Sequence, residues 1–217
     1  MKKLILSTTA IALLTLSLTN TGCKKSASDT TKPVITVVGS NPYYIQKSTT
    51  YTDPGATATD DVDGTLVATT SDVVTTGNLG TYTLTYTAKD KAGNTATSTR
   101  TVYVVDVDGY YATAVDVSPY PGGTSSSYNE TMHLATDGSG KVSLTKFGDY
   151  TNGSVYFNMT SPTALNVPSQ TVSCGSPAAS RNFSGSGTIS TTAPTVVINF
   201  TEVTNGTTIA SQDSYTR

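Results

Sequence analysis

Gly80-Thr-Tyr-Thr-Leu-Thr-Tyr-Thr-Ala88 alternates without a break. Tyr82, Leu84, Tyr86 and Ala88 fall on one side and threonines on the other. That period of two, sustained this long, predicts a half-buried β-strand. Outward from it the same grammar repeats. Lys89-Asp-Lys-Ala-Gly-Asn94 is a polar turn, and Thr99-Arg-Thr-Val-Tyr-Val-Val105 is a returning strand. Upstream, Pro33-Val-Ile-Thr-Val-Val38 is a β-branched run closed by Gly39-Ser-Asn-Pro42. Asp53-Pro54-Gly55, Asp63-Gly64 and Gly93-Asn94 supply turn chemistry, since proline fixes φ and glycine accepts a positive φ. Tyr82 is expected in the core or closing a strand corner. Short strands with frequent turns predict a β-sandwich over residues 33–106.

Asp106-Val-Asp-Gly109 then marks a boundary, and a second module is expected over residues 109–217. Tyr110-Tyr-Ala-Thr-Ala-Val-Asp-Val117 opens it. Further strands are expected at Tyr128–Ala135, Lys141–Phe147, Ser154–Thr160, Gln170–Ser173, Phe183–Ser190, Thr195–Thr201 and Thr208–Tyr215. Asp137-Gly-Ser-Gly140 reads as a hairpin turn, and Asn205-Gly206 carries the strongest two-residue hairpin signal in the chain. About eight antiparallel strands suggest a meander closing into a small barrel or sandwich. The expected fold class is therefore all-β: an N-terminal sandwich followed by an antiparallel barrel or sandwich.

The order Tyr51-Thr-Asp-Pro-Gly-Ala-Thr-Ala58, Asp60-Asp-Val-Asp-Gly64, Gly80 to Asp90, Ala92-Gly-Asn94 and Thr99-Arg-Thr-Val102 closely resembles a bacterial Ig-like domain of the pesticidal-crystal-protein type. It is also similar to hyalin-repeat and cadherin-like modules. The resemblance implies a sandwich of seven strands or a similar number, used as a spacer or adhesion unit, and no enzymatic activity. The second module resembles the C-terminal β domains that follow Ig-like modules in bacterial lipoproteins. Gly109-Tyr-Tyr, Val167-Pro-Ser-Gln170, Phe183-Ser-Gly-Ser-Gly-Thr-Ile189 and Tyr215 carry that likeness.

The first 22 residues combine Lys2 and Lys3 with a short apolar stretch from Leu4 to Leu18. This is the pattern of a secretory signal, shorter than the ~20 apolar residues a membrane span needs. Its end, Leu18-Thr-Asn-Thr-Gly-Cys23, resembles a lipobox, with Asn20 departing from the usual aliphatic residue. The resemblance implies a lipid on Cys23 and stable anchoring, each buried CH₂ contributing about 0.8 kcal/mol. Residues 23–32 form a polar tether. Lys24 follows the cysteine where an aspartate would imply inner-membrane retention, so an outer-membrane lipoprotein is expected, on its periplasmic or cell-surface face.

Composition narrows the chemistry. Charged residues are 13% of the chain and hydrophobic residues 36%, and 13 tyrosines accompany abundant Thr and Ser. Without its leader the chain carries 11 basic and 15 acidic residues. Clustered cations able to replace the counterions of a phosphate backbone are missing, so no nucleic-acid partner is expected. His133 is the sole histidine and no G-x-S-x-G elbow occurs. Zinc would have only His133 and Cys174. Glu130 and Glu202 are carboxylates with no sign of a shared cleft. With Cys23 lipidated, Cys174 has no partner and is expected to be buried.

The reading is thus a non-enzymatic envelope protein anchored in the membrane, whose spacer presents a β module to a glycan, peptide or envelope protein. Tyr110, Tyr111 and Tyr120 are its candidate contacts, because tyrosine joins apolar area to a polar tip; the alternative for each is packing in the core, with Tyr120, between two prolines, the exception. A purely structural envelope component and a hydrolase with dispersed carboxylates are the alternatives. No organic cofactor is expected. Asp60, Asp61, Asp63 and Asp90 form a candidate calcium set; the alternative is that they cap turns through backbone amides.

Overall fold

A computed structural model describes residues 28–117, 126–147, 153–175, 178–190 and 195–217. The described chain is all-β, with fourteen strands. Six belong to the Ig-like module: β1 (Val34–Val37), β2 (Tyr43–Gln46), β3 (Ala56–Asp60), β4 (Gly64–Val67), β5 (Gly80–Lys89) and β6 (Thr95–Val105). They form two three-stranded sheets, ordered β1-β3-β4 and β2-β6-β5, with β2 parallel to β6. A bridge between Thr69 and Thr87 ties the segment after β4 to β5. The alternation of β5 holds: Leu84, Tyr86 and Ala88 are buried, and Thr81, Thr83, Thr85 and Thr87 are exposed. Tyr82 closes a corner, its hydroxyl donating to the carbonyls of Thr75 (2.8 Å) and Asn78 (3.2 Å).

The core between these sheets is small. Ile45, Leu84, Tyr86, Val102 and Val104 form it. Arg100 sits on the same inward register of β6 and is fully buried. Its guanidinium donates to the Tyr86 hydroxyl (3.0 Å) and to the carbonyls of Gly55 (3.1 Å), Ser40 and Val38, and it pairs with Asp53 at 3.3 Å. Asp53 also accepts from the hydroxyls of Tyr86 (2.7 Å) and Tyr51 (3.2 Å). One planar fork thus ties the Asp53-Pro54-Gly55 turn and the loop after β1 to the strand beneath them, a task that suits arginine's rigid array of donors.

The second module is a closed barrel of eight antiparallel strands. They are β7 (Gly109–Val117), β8 (Ser126–Leu134), β9 (Lys141–Leu144), β10 (Val155–Ser161), β11 (Ala164–Cys174), β12 (Ala179–Ile189), β13 (Thr195–Thr204) and β14 (Thr207–Thr216). Each pairs with the next, and β14 returns to β7. Asn205 and Gly206 form the two-residue β13–β14 turn, both at positive φ (48° and 80°), as the sequence predicts. The strand expected at Gln170–Ser173 extends to Ala164–Cys174, because the β11–β12 register shifts between Val167 and Gln170. Pro168 lies in that interval and has no N–H to give the ladder, so the shift absorbs it. At Gly185 and Gly187 an added Cβ would lie 2.2 and 2.5 Å from the carbonyl oxygens of Asn199 and Val197. Both are sites of close backbone approach. The interior is filled by side chains, Phe147, Phe157, Phe183 and Phe200 among them.

The two modules meet through β2. Tyr44 belongs to the Ig-like sheet, yet its ring packs in the barrel's core cluster beside Val105 and Val107. Its backbone N–H donates to the Gly138 carbonyl at 2.9 Å. Gly138 and Gly140, at φ 78° and 76°, let the β8–β9 turn lie flat on Tyr43 and Tyr44, and a Cβ would come within 2.3 and 2.5 Å of those rings. Gln46 completes the joint. Its amide donates to Asp106 (2.8 Å) and accepts from the amides of Val107 (3.1 Å) and Asp108 (2.9 Å).

Two outcomes test this packing. Arg100→Met should destabilise the Ig-like module by about 2–4 kcal/mol in a denaturant titration, because it leaves the partly buried Asp53 and several carbonyls without their donor. Gly140→Ala and Gly206→Ala both place alanine at positive φ, but Gly206 has open space around it. Gly140→Ala should therefore cost more than Gly206→Ala, by about 1–3 kcal/mol for the overpacked Tyr44 contact. Equal costs would show that the joint is loose.

Candidate functional site

Three places could carry function: the acidic end of the Ig-like module, the outer wall of the barrel and the buried carboxylates within it. At the first, the four aspartates singled out from sequence separate into two roles. Asp90 accepts from the amides of Gly93 (2.6 Å) and Asn94 (2.7 Å) and from the Asn94 side chain (2.7 Å). Asp63 accepts from the Lys91 backbone (2.7 Å) and ammonium (2.9 Å), and those bonds hold its carboxyl below the usual range. These two stabilise turns. Asp60 and Asp61 instead meet Asp29, a residue of the tether, with one carboxylate oxygen from each lying within 4.8 Å of the others. Asn94 donates to the Asp29 carbonyl at 3.2 Å, so the tether rests against the β5–β6 turn. Sequence reading placed Asp29 in the tether and gave it no role.

On the barrel, the tyrosine expectation is corrected at Tyr111. Its ring is 1% exposed, its hydroxyl donates to the Val107 carbonyl (2.9 Å), and it packs edge-on against Tyr215. The β7–β8 register shift between Tyr111 and Ala114 accompanies this inward placement, which leaves no face for an external ligand. Tyr120 and the side chain of Tyr110 lie outside the described residues, as does Cys23. The barrel's outer wall offers a different surface. A shallow concavity of about 600 Å³ lies over β12, β13 and β14. The outward side chains of Ser184, Ser186, Asn199, Thr201 and Gln212 line it, a neutral set of hydroxyls and amides able both to donate and to accept.

Inside the barrel, Glu130, Glu202 and Asp213 are all buried, and each is engaged separately. Glu130 accepts from the amides of Thr131 (2.8 Å) and Thr145 (3.2 Å). Glu202 pairs with Arg181. Asp213 accepts from the hydroxyls of Tyr215 (2.8 Å) and Tyr128 (3.0 Å). Burial, reinforced by the Asp213 charge, pushes the Tyr215 phenol well above its ordinary pKa. His133 is exposed, 3.4 Å from Asp108. Cys174 is buried and burial raises its thiol pKa, as expected for a packed structural cysteine. Glu130 and Glu202, which the sequence gives no sign of placing in a shared cleft, make their bonds to different neighbours.

Residues 35–104 match the family model of a bacterial surface protein Ig-like domain. This supports the Ig-like reading of the first module as a bacterial surface domain. Among solved structures, the chain is similar to the lipoprotein BT2262 from Bacteroides thetaiotaomicron, at 17% identity over 84% of this chain and 99% of that one, with a TM-score of 0.35. No curated protein matches the sequence.

Asp106 links joint and C-terminus, accepting from Gln46 and from Arg217 at 2.9 Å. Its burial acts to raise its pKa, but the hydrogen bonds from Arg217 and Gln46 outweigh that and hold the carboxyl below its usual value. A depressed carboxylate stabilises the fold above its unfolded pKa of about 3.9, and the contribution is lost as pH falls through the folded value. Melting curves of Asp106→Asn should therefore lie below wild type at pH 7 and converge with it as pH falls below the folded pKa. Curves that stay parallel would place this stabilisation elsewhere.

Proposed function

We propose that this chain is a lipid-anchored, non-enzymatic protein of the bacterial outer membrane, in which the Ig-like module holds the barrel away from the bilayer for contact with a ligand. The observation that carries the reading is the placement of the two ends of β6. Its Thr95 end adjoins the turn on which the tether rests, and its Val105 end leads into the barrel. Eleven extended residues span roughly 35 Å at about 3.3 Å each. The joint built on Tyr44, Gln46, Gly138 and Gly140 keeps that displacement from folding back.

The concavity over β12–β14 is the contact surface in this proposal. Its alternating hydroxyls and amides suit a polyhydroxylated or peptide ligand, which offers donors and acceptors in equal measure and no net charge. Within the barrel, Glu130 is engaged by amides, Glu202 by Arg181 and Asp213 by tyrosine hydroxyls, which supports a non-enzymatic role, since a general acid or base must face a substrate. The filled interior also favours a second reading, a purely structural envelope component.

Cell fractionation and a glycan array test the proposal together. Wild type should sediment with the outer membrane and carry acyl chains on residue 23, whereas Cys23→Ser should be released into the soluble fraction. Binding to an array glycan, lost in Ser186→Trp with an unchanged Tm, would support presentation. Binding that survives a blocked concavity would move the contact surface elsewhere, and lipid-free Cys23 would overturn the anchor.

A further inference from the structure

We propose that Asp29, Asp60 and Asp61 bind a calcium ion that fastens the tether to the end of the Ig-like module. The proposal does not rest on the barrel having a ligand.

The argument starts from what the turn leaves over. Oδ1 of Asp60 accepts both amides of its own turn, from Val62 (3.0 Å) and Asp63 (2.9 Å). That is the whole capping task of an Asx-type turn. Oδ2 of the same carboxylate is buried and has no hydrogen-bond partner, in a residue only 8% exposed. A buried carboxylate oxygen without a donor is costly, and such an atom calls for an explanation. Asp29 repeats the pattern. Its Oδ1 accepts from the Thr31 amide (2.9 Å), and its Oδ2 is buried and unpartnered. Two aspartates from segments far apart in sequence, each with one unpartnered buried oxygen, thus occur in one cluster with Asp61.

Neighbouring cations do not relieve them. Among the described residues, no lysine or arginine ion pair reaches Asp29, Asp60 or Asp61; Lys91, nearby, is committed to Asp63. Three carboxylates so close repel one another unless a cation lies between them. Oxygens bound to one calcium at 2.3–2.6 Å lie at most about 5 Å apart, and the separations here meet that limit. Asp61 is exposed, and a shallow hollow lined by Ser28, Thr30, Thr31 and Asp61 opens beside it, leaving room for the waters that complete a six- to eight-fold shell. Hard oxygen donors and an irregular, partly hydrated shell fit calcium better than magnesium, which demands a near-ideal octahedron.

The consequence is mechanical. Asp29 comes from the tether, while Asp60 ends β3 and Asp61 opens the turn after it. An ion shared between them makes the tether's last residues part of the module.

The test uses the full chain in detergent, stripped with EGTA and titrated with calcium chloride. Calcium at a few millimolar, the affinity range of extracellular sites, should raise Tm by at least about 3 °C. Amide exchange of Thr30 and Thr31 should slow at least tenfold, and magnesium at equal concentration should do less. Asp60→Asn keeps an oxygen for the Val62 and Asp63 amides and should abolish both responses. Asp29→Asn, outside any strand, should abolish the exchange response even if Asp60→Asn folds poorly. Asp90→Asn, at the neighbouring turn, should retain both. The proposal is overturned if wild type shows no calcium response, if magnesium matches calcium, or if Asp29→Asn responds as wild type does.

Discussion

The structure depends on one ring crossing a boundary. Tyr44 is held in the Ig-like sheet by the backbone of β2, while its side chain is packed in the barrel's core cluster. A tyrosine so placed makes the modules' relative orientation part of the barrel's packing instead of a property of a linker. Protein interiors are dense enough that such a ring has few alternative positions. The bonds around it act in the same sense. Gln46 straps Asp106 to Asp108, Arg217 returns to Asp106 from the end of β14, and the β8–β9 turn lies against Tyr43 and Tyr44.

Elements with a local cause were readable in the sequence. The alternation of Tyr82, Leu84, Tyr86 and Ala88 and the Asn205-Gly206 turn each act within a few residues, and the structure shows them where expected. An all-β second module of about eight strands follows from the same turn chemistry. What escaped was non-local. Arg100 reads as one polar residue in an alternating strand; only its inward register, with Asp53 in a turn motif upstream, hints that it is buried. Asp137-Gly-Ser-Gly140 reads as a turn, and nothing local says that its glycines make room for rings from another module.

The candidate site divides along the same line. Asp63 and Asp90 serve their own turns, which sequence can foresee. The meeting of Asp29 with Asp60 requires the tether to come back along the β5–β6 turn, and no periodicity encodes that. Tyr111 is a candidate contact by residue type alone, and a register irregularity after it and the pull of an apolar interior place it in the core. The barrel's polar content follows a consistent rule: each inward carboxylate accepts from donors close to it, so charge is held in the interior away from solvent.

In the barrel, seven of the eight seams join strands that follow one another in the chain, and only the β7–β14 seam joins distant ones. A meander of this kind can zip from hairpin to hairpin along the polypeptide, deferring a single long-range closure to the end. Until β14 arrives, two naked strand edges remain open to any neighbouring chain; once it docks, both vanish together. The final hairpin is thus a latch, and the interval before it shuts is when crowded neighbours pose the greatest hazard of mispairing.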